Sequence, residues 1–371
     1  MGVFGASLPL VQLRPNRLVL GVAEPLAAAG PLAWWVAFAL IVALAAALAP
    51  WPRVRRACAH IAGPLLLAST AWALGAASAH LLTGQPPIAR VSLSTGAWVL
   101  FGSAAVMSLA ASHLEPPAGA ARRIWLGGGT VLALAAVPWG GLSSLSLARE
   151  LAVRAETFWP LVGGHVMIAS ASVAIATAAG VPLGIWASRN GRVRAVVLGI
   201  TGVIQTVPSL ALLGLLVVPL AALGDAFPGL RELGIRGIGA TPGIIALTLY
   251  ALLPVTRGTY VGLAGIDPAA LDAGHGMGMS RLQLLGRVEL PLAVPLIVDG
   301  VRTAAVLVIG ITTLTVFAGA RNLGVLVFEG LGQLAPDLIL LGALPTIALA
   351  VAADAAFGWL ARVLTPEGVR A

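Results

Sequence analysis

I-D-P-A-A-L-D-A-G-H-G-M-G-M-S-R-L-Q-L-L-G-R-V-E-L-P, residues Ile266 to Pro291, is the longest polar interruption in the apolar C-terminal half of this 371-residue chain. It carries its own start and stop signals. Asp267 followed by Pro268 reads as an N-cap and first helical position, where proline's missing N–H would have had no partner anyway. The helix is predicted to run about two turns before Gly274, Gly276 and Gly278 break it. Ser280 and Gln283 stand at capping-box spacing, S-x-x-Q, and start a second helix predicted to end near Leu290-Pro291. The stretch is therefore helix, glycine turn, helix. A first helix this short is marginal in water unless it docks on something.

The chain around this stretch is far too apolar for a soluble protein. It is 59% hydrophobic and only 10% charged, where a soluble domain carries about a quarter charged residues. Mean hydropathy is +0.98. The fold class expected is all-α, a polytopic transmembrane helical bundle. Nine apolar runs are long enough to cross a bilayer: Pro31 to Pro50, Ala57 to Leu82, Val91 to Leu114, Ile124 to Gly141, Gly163 to Ser188, Val193 to Leu223, Thr241 to Leu263, Leu292 to Ala318 and Asp337 to Leu364. The run from Val193 is too long for one straight helix, and Pro208 and Pro219 are expected to break it.

Every basic side chain is arginine, and these lie mostly in short connections, so the net charge of +8 does not point to nucleic acid. Arg53, Arg55, Arg56, then Arg122, Arg123, then Arg189, Arg192, Arg194, then Arg281, Arg287 fall in alternate loops. The positive-inside bias places that set, and the opening stretch with it, in the cytoplasm, with the C-terminus inside. The chain divides at a more polar connection, 141–160, expected to be external. Before it, 1–140 holds about four spans with tryptophans near their ends; after it, 161–371 holds a five-span unit with the loop 266–291.

Polar residues within the spans mark candidate sites. Val203-Ile204-Gln205-Thr206-Val207-Pro208-Ser209 is a proline-broken polar patch, and irregular backbone at membrane depth occurs only where it is buried in protein or lines a cavity. Gln205, Thr206, Pro208 and Ser209 are candidates for a translocation path, with hydrogen bonding between helices as the alternative. Asp299 and Arg302 share a helix face and are expected to pair or to snorkel. Asp354 lies well inside the last span and either faces the bundle, pairs with Arg257 or lines the path. Gly180-x-x-x-Gly184 fits close helix packing.

Catalytic machinery is not expected. A P-loop needs a lysine, and the chain has none. His60, His80, His113, His165 and His275 are scattered singly, and Cys58 stands alone, so neither a metal site nor another cofactor is anticipated. The chain does not read as an enzyme.

The opening stretch resembles the cytoplasmic "EAA" loop of binding-protein-dependent ABC importer permeases, whose pattern is E-A-A, three residues, G, nine residues, I-x-L-P. Asp272, Ala273 and Gly274 stand at E-A-A, Gly278 at the glycine, and Val288, Leu290 and Pro291 at I-x-L-P. Asp for Glu keeps the charge with a shorter reach, and Gly274 for Ala weakens the helix by roughly 1 kcal/mol. The resemblance implies a coupling helix seated in a groove of a separate ATPase subunit, with Asp267, Asp272, Ala273, Gly274, Gly278, Met279, Arg281 and Pro291 as the coupling residues. It also implies an external solute-binding protein, a homodimer or a heterodimer with a second permease, and the bacterial inner membrane.

The patch V-I-Q-T-V-P-S, G-M-G-M-S before V-E-L-P-L-A-V-P, and D-G-V-R-T resemble the branch importing glycine betaine, choline and related quaternary ammonium osmoprotectants, in a subgroup with extra N-terminal spans. Where that branch tends to have G-A-G-G-L-G, this chain reads Gly319-Ala320-Arg321-Asn322-Leu323-Gly324, a departure expected to touch the external gate or binding-protein docking. A permease for methionine or another small polar solute is the runner-up. An ATPase-independent secondary transporter or channel is the alternative of another class, for which inverted repeats or midplane relays are the missing signs.

Overall fold

A backbone in hydrocarbon has to satisfy its own hydrogen bonds, so the apolar runs fold as helices. The computed structural model describes residues 1–16, 19, 21–48, 50–112, 142–232 and 234–365. Among these, seven helices are long and apolar enough to cross a membrane, and Thr95–Ala111 is a shorter apolar helix. The expected span Ile124 to Gly141 lies outside the described residues. The chain forms two compact units: Met1–Arg154 with Gly332–Leu338, and Ala155–Leu331 with Ile339–Ala371.

The first unit contains α1 (Gly2–Ser7), β1 (Val11–Arg14), β2 (Val22–Glu24), α2 (Ala33–Leu48), α3 (Pro52–Leu82), β3 (Arg90–Leu93), α4 (Thr95–Ser112) and α5 (Ser146–Val153). Leu10, Val11, Leu66, Leu74 and Leu100 sit at its core. The strands make a small antiparallel sheet in the order β2-β1-β3, which the sequence did not announce. Val91 was expected to open a membrane helix. Instead Val91 pairs with Leu13 in β3, and the helix starts only at Thr95. An apolar run looks alike as strand or helix when the pairing strand is remote in sequence.

The second unit contains α6 (Ala155–Arg189), α7 (Gly191–Thr206), α8 (Ser209–Ala226), α9 (Pro228–Glu232), α10 (Ala240–Ala264), α11 (Pro268–Gly276), α12 (Arg281–Leu284), α13 (Leu290–Thr312), α14 (Gly324–Gly332) and α15 (Pro336–Leu364), whose first residues belong to the first unit. Helices α6, α10 and α13 enclose its core around Ile168, Ala176, Leu247, Val255 and Val308. A Cβ on Gly184 would stand 2.5 Å from Thr259 Cβ, and one on Gly258 would stand 3.0 Å from Gly300 Cα. Small residues here let backbones approach, as the G-x-x-x-G spacing predicts. The run from Val193 breaks at Val207-Pro208 into α7 and α8, but Pro219 stays inside α8. One helical proline frees a single carbonyl, which the rest of a bundle can tolerate.

Candidate functional site

The loop 266–291 folds by its local signals, with two corrections. Asp267 caps α11, its side chain accepting from the Ala269 N–H at 2.9 Å. The glycines do not all break this helix: α11 continues through Gly274 and Gly276. Gly274 is buried, and a Cβ there would lie 2.4 Å from Leu284 Cδ1, with Met279 Sδ and Val288 Cγ2 close behind. Its missing side chain makes room for the second arm of the loop. The stop is Gly278, at φ +74°. The Met279 N–H donates to Gly274 O and the Gly278 N–H to His275 O, the two bonds of a Schellman turn.

Ser280 then starts α12 with a complete capping box. The Ser280 N–H donates to Gln283 Oε1 at 2.9 Å and the Gln283 N–H to Ser280 Oγ at 3.4 Å. The second correction follows. This arm does not end near Leu290-Pro291 but passes through a π-helical turn, Leu285–Glu289, directly into α13. Pro291 falls in the first turn of α13, just past the π turn, and there its missing N–H halts nothing. Asp272, Ala273 and Arg281 are exposed, and Met279 is half-buried. Glu289 is buried and ion-paired with Arg189 at the end of α6, which fastens the loop's exit to the bundle.

The proline-broken patch is also explained by hydrogen bonds. Pro254 has no N–H, so it cannot bond the carbonyl of Tyr250 four residues earlier; Gln205 Nε2 donates to that carbonyl at 2.9 Å. In return the Tyr250 hydroxyl donates to Val207 O, at the break before Pro208. Two proline defects on different helices thus satisfy each other. Thr206 Oγ1 donates to Val203 O at 2.7 Å, and Ser209 opens α8 after the N-cap Pro208.

Asp354 does not pair with Arg257. Its carboxylate takes a bidentate bond from Arg302, Nε at 2.6 Å and Nη2 at 2.7 Å. Asp299, on the helix face shared with Arg302, keeps only a long 3.9 Å approach to Arg302 Nη1. Planar guanidinium and carboxylate match two bonds at once, so the cross-helix pair prevails over the helical neighbour. A cavity of about 370 Å3 is lined by Gln205, Pro254, Arg257, Asp299 and Thr303 among others.

Comparison with known proteins places this geometry. The family described as "Binding-protein-dependent transport system inner membrane component" matches residues 180–366. The chain belongs to this family. Residues 1–148 match the family described as "ABC transporter permease YehY, N-terminal domain". A carnitine transport permease protein, OpuCB, of Listeria monocytogenes is 40% identical over 206 residues, 56% of this chain and 87% of that protein. A glycine betaine/carnitine/choline transport system permease protein, OpuCD, of Bacillus subtilis is 40% identical over 54% of this chain and 82% of its own length. The osmoprotectant import permease protein OsmW of Salmonella typhimurium is 35% identical over 56% and 91%. Among solved structures, one titled as an inward-facing conformation of the MetNI methionine ABC transporter matches 57% of this chain and 97% of that chain, with TM-score 0.50 and 18% identity, a likeness of fold.

The permease is a multi-pass inner-membrane protein and not an enzyme. Permeases of this family work with an ATPase and a substrate-binding protein. Sequence reasoning missed three contacts of this permease. Glu289 entered only as a letter of V-E-L-P, although it is 3% exposed. Arg194 donates to the Tyr260 hydroxyl at 2.8 Å, joining α7 to α10, and no spacing rule connects the two. Asn322, read as a departure at the external gate, is buried and structural: its Nδ2 donates to Thr315 Oγ1 and its Oδ1 accepts from the Gly324 N–H. Its neighbour Arg321, by contrast, is exposed.

Proposed function

We propose that this permease imports quaternary ammonium osmoprotectants, glycine betaine, choline or carnitine, across the inner membrane. The observation that carries the reading is the named solutes of the relatives, which are 35–40% identical and match 82–91% of their own lengths. ATP hydrolysis by the separate ATPase subunit drives the cycle, and residues Asp267 to Arg281 receive the motion. Exposed Asp272 and Ala273 on a short capped helix support a docking role. The ion pair of buried Glu289 with half-exposed Arg189 and the π turn offer a stiff route from that helix to α6 and α13.

The loop lies in the cytoplasm in this reading, with the C-terminus on the same side, as the arginine distribution favours. Two permease subunits, identical or homologous, enclose the path, and Gln205, Thr206, Pro208, Ser209 and Asp354 stand beside it. In this reading residues 1–140 are an N-terminal membrane region, 141–160 an external connection and 161–371 the permease core. The test is uptake of labelled glycine betaine, choline and carnitine into proteoliposomes holding the permease with its ATPase and binding protein. ATP-dependent accumulation of at least one is expected. ATP-driven turnover with none of the three accumulated overturns the solute class, and flux without ATP overturns the importer.

A further inference from the structure

The cavity of about 370 Å3 among α7, α10 and α13 lies within the range of small-molecule sites. Its lining brings together groups of opposite charge. Arg257 comes from α10, Asp299 and Thr303 from α13, and Gln205 from α7. Charged side chains inside membrane spans are costly unless they face protein or a water-filled cavity. Asp299 is 62% exposed and Arg257 is also exposed. Arg257 has no ion-pair partner within 4.0 Å among the described residues.

The neighbouring charges are already committed. Arg302 is held by both oxygens of Asp354, which leaves Asp299 with only its 3.9 Å approach to Arg302. The Nε2 of Gln205 is spent on Tyr250 O, so its amide oxygen remains as an acceptor. Across this region two arginines, Arg257 and Arg302, balance two aspartates, Asp299 and Asp354, so the surroundings are formally neutral.

We infer that this cavity is a pathway subsite for a zwitterion, with Arg257 receiving a carboxylate and Asp299 facing a quaternary ammonium. A guanidinium fork suits a carboxylate, which accepts two parallel bonds. A quaternary ammonium has no N–H to donate, so a nearby negative charge, rather than hydrogen-bond geometry, recognises it. The inference rests on the quaternary ammonium solutes proposed above, and it divides them. Glycine betaine and carnitine carry the carboxylate that Arg257 takes; choline does not.

The test uses the full importer in proteoliposomes and compares ATP-driven uptake of glycine betaine and choline. Arg257→Gln is expected to lower the betaine-to-choline uptake ratio by about tenfold, the effect of losing a charge-assisted hydrogen bond. Arg257→Lys keeps the charge and is expected to restore much of that ratio. Asp299→Asn is expected to lower uptake of both solutes. An unchanged ratio in Arg257→Gln overturns the inference, as does equal loss of both solutes in Arg257→Gln and Arg257→Lys. Those outcomes leave the solute class standing if the unaltered importer carries either compound. An unaltered importer that accumulates none of glycine betaine, choline and carnitine overturns the solute class itself, and this inference falls with it.

Discussion

Glu289 is the residue whose surroundings constrain it most. It is buried at the exit of the coupling loop, and its partner Arg189 is half exposed. The two sides of this pair are therefore not equivalent. Removing the arginine leaves an uncompensated buried carboxylate, which costs about 3 kcal/mol or more. Neutralising the carboxylate leaves an arginine that water can reach, at about 1 kcal/mol. Arg189→Ala is thus expected to lower the unfolding midpoint of the detergent-solubilised permease more than Glu289→Gln does. Equal midpoints would argue against a structural pair. Sequence alone could not show this, because the partners are 100 residues apart and glutamate in V-E-L-P looks like any polar loop residue. The same blindness covers Arg302 and Asp354, where the near neighbour Asp299 was the visible partner and the remote one is the real one.

At the scale of the element, the loop was the most legible part of the chain because its signals are local. Asp267, Pro268, Ser280 and Gln283 act within three residues of themselves, and each does in the fold what its spacing says. The π turn was not legible. Pro291 read as a stop, yet whether proline ends a helix or starts its next segment depends on backbone bonds made just before it. The exposed face of α11 carries the prediction. Asp272→Lys reverses the one acidic charge within that helix without touching Gly274 or the Schellman turn. ATP-driven uptake in proteoliposomes is expected to fall by about tenfold or more, since like charges at an interface are strongly unfavourable. The variant should insert normally and elute from size exclusion as the parent does. Unchanged uptake would remove this helix from the ATPase contact.

At the scale of the whole molecule, the chain forms two compact units, and the first is closed by a segment remote in sequence. Asp337, from the stretch Gly332–Leu338, accepts hydrogen bonds from Ser92 Oγ at 2.8 Å and Ser146 Oγ at 2.6 Å. All three residues are buried, so each hydroxyl depends on this carboxylate for its acceptor. Asp337→Ala leaves two buried donors unpaired, at about 1–3 kcal/mol each. Asp337→Asn keeps an oxygen that can accept, and should retain part of the stability. Hydrogen exchange separates the units because cooperative regions open independently. In Asp337→Ala, protection is expected to fall in β3 and α5, while α10 keeps its own. Loss of protection in α10 to the same degree would mean that the chain unfolds as one body. Retention of protection in β3 and α5 would mean that other contacts close the first unit, and that Asp337 is incidental to it.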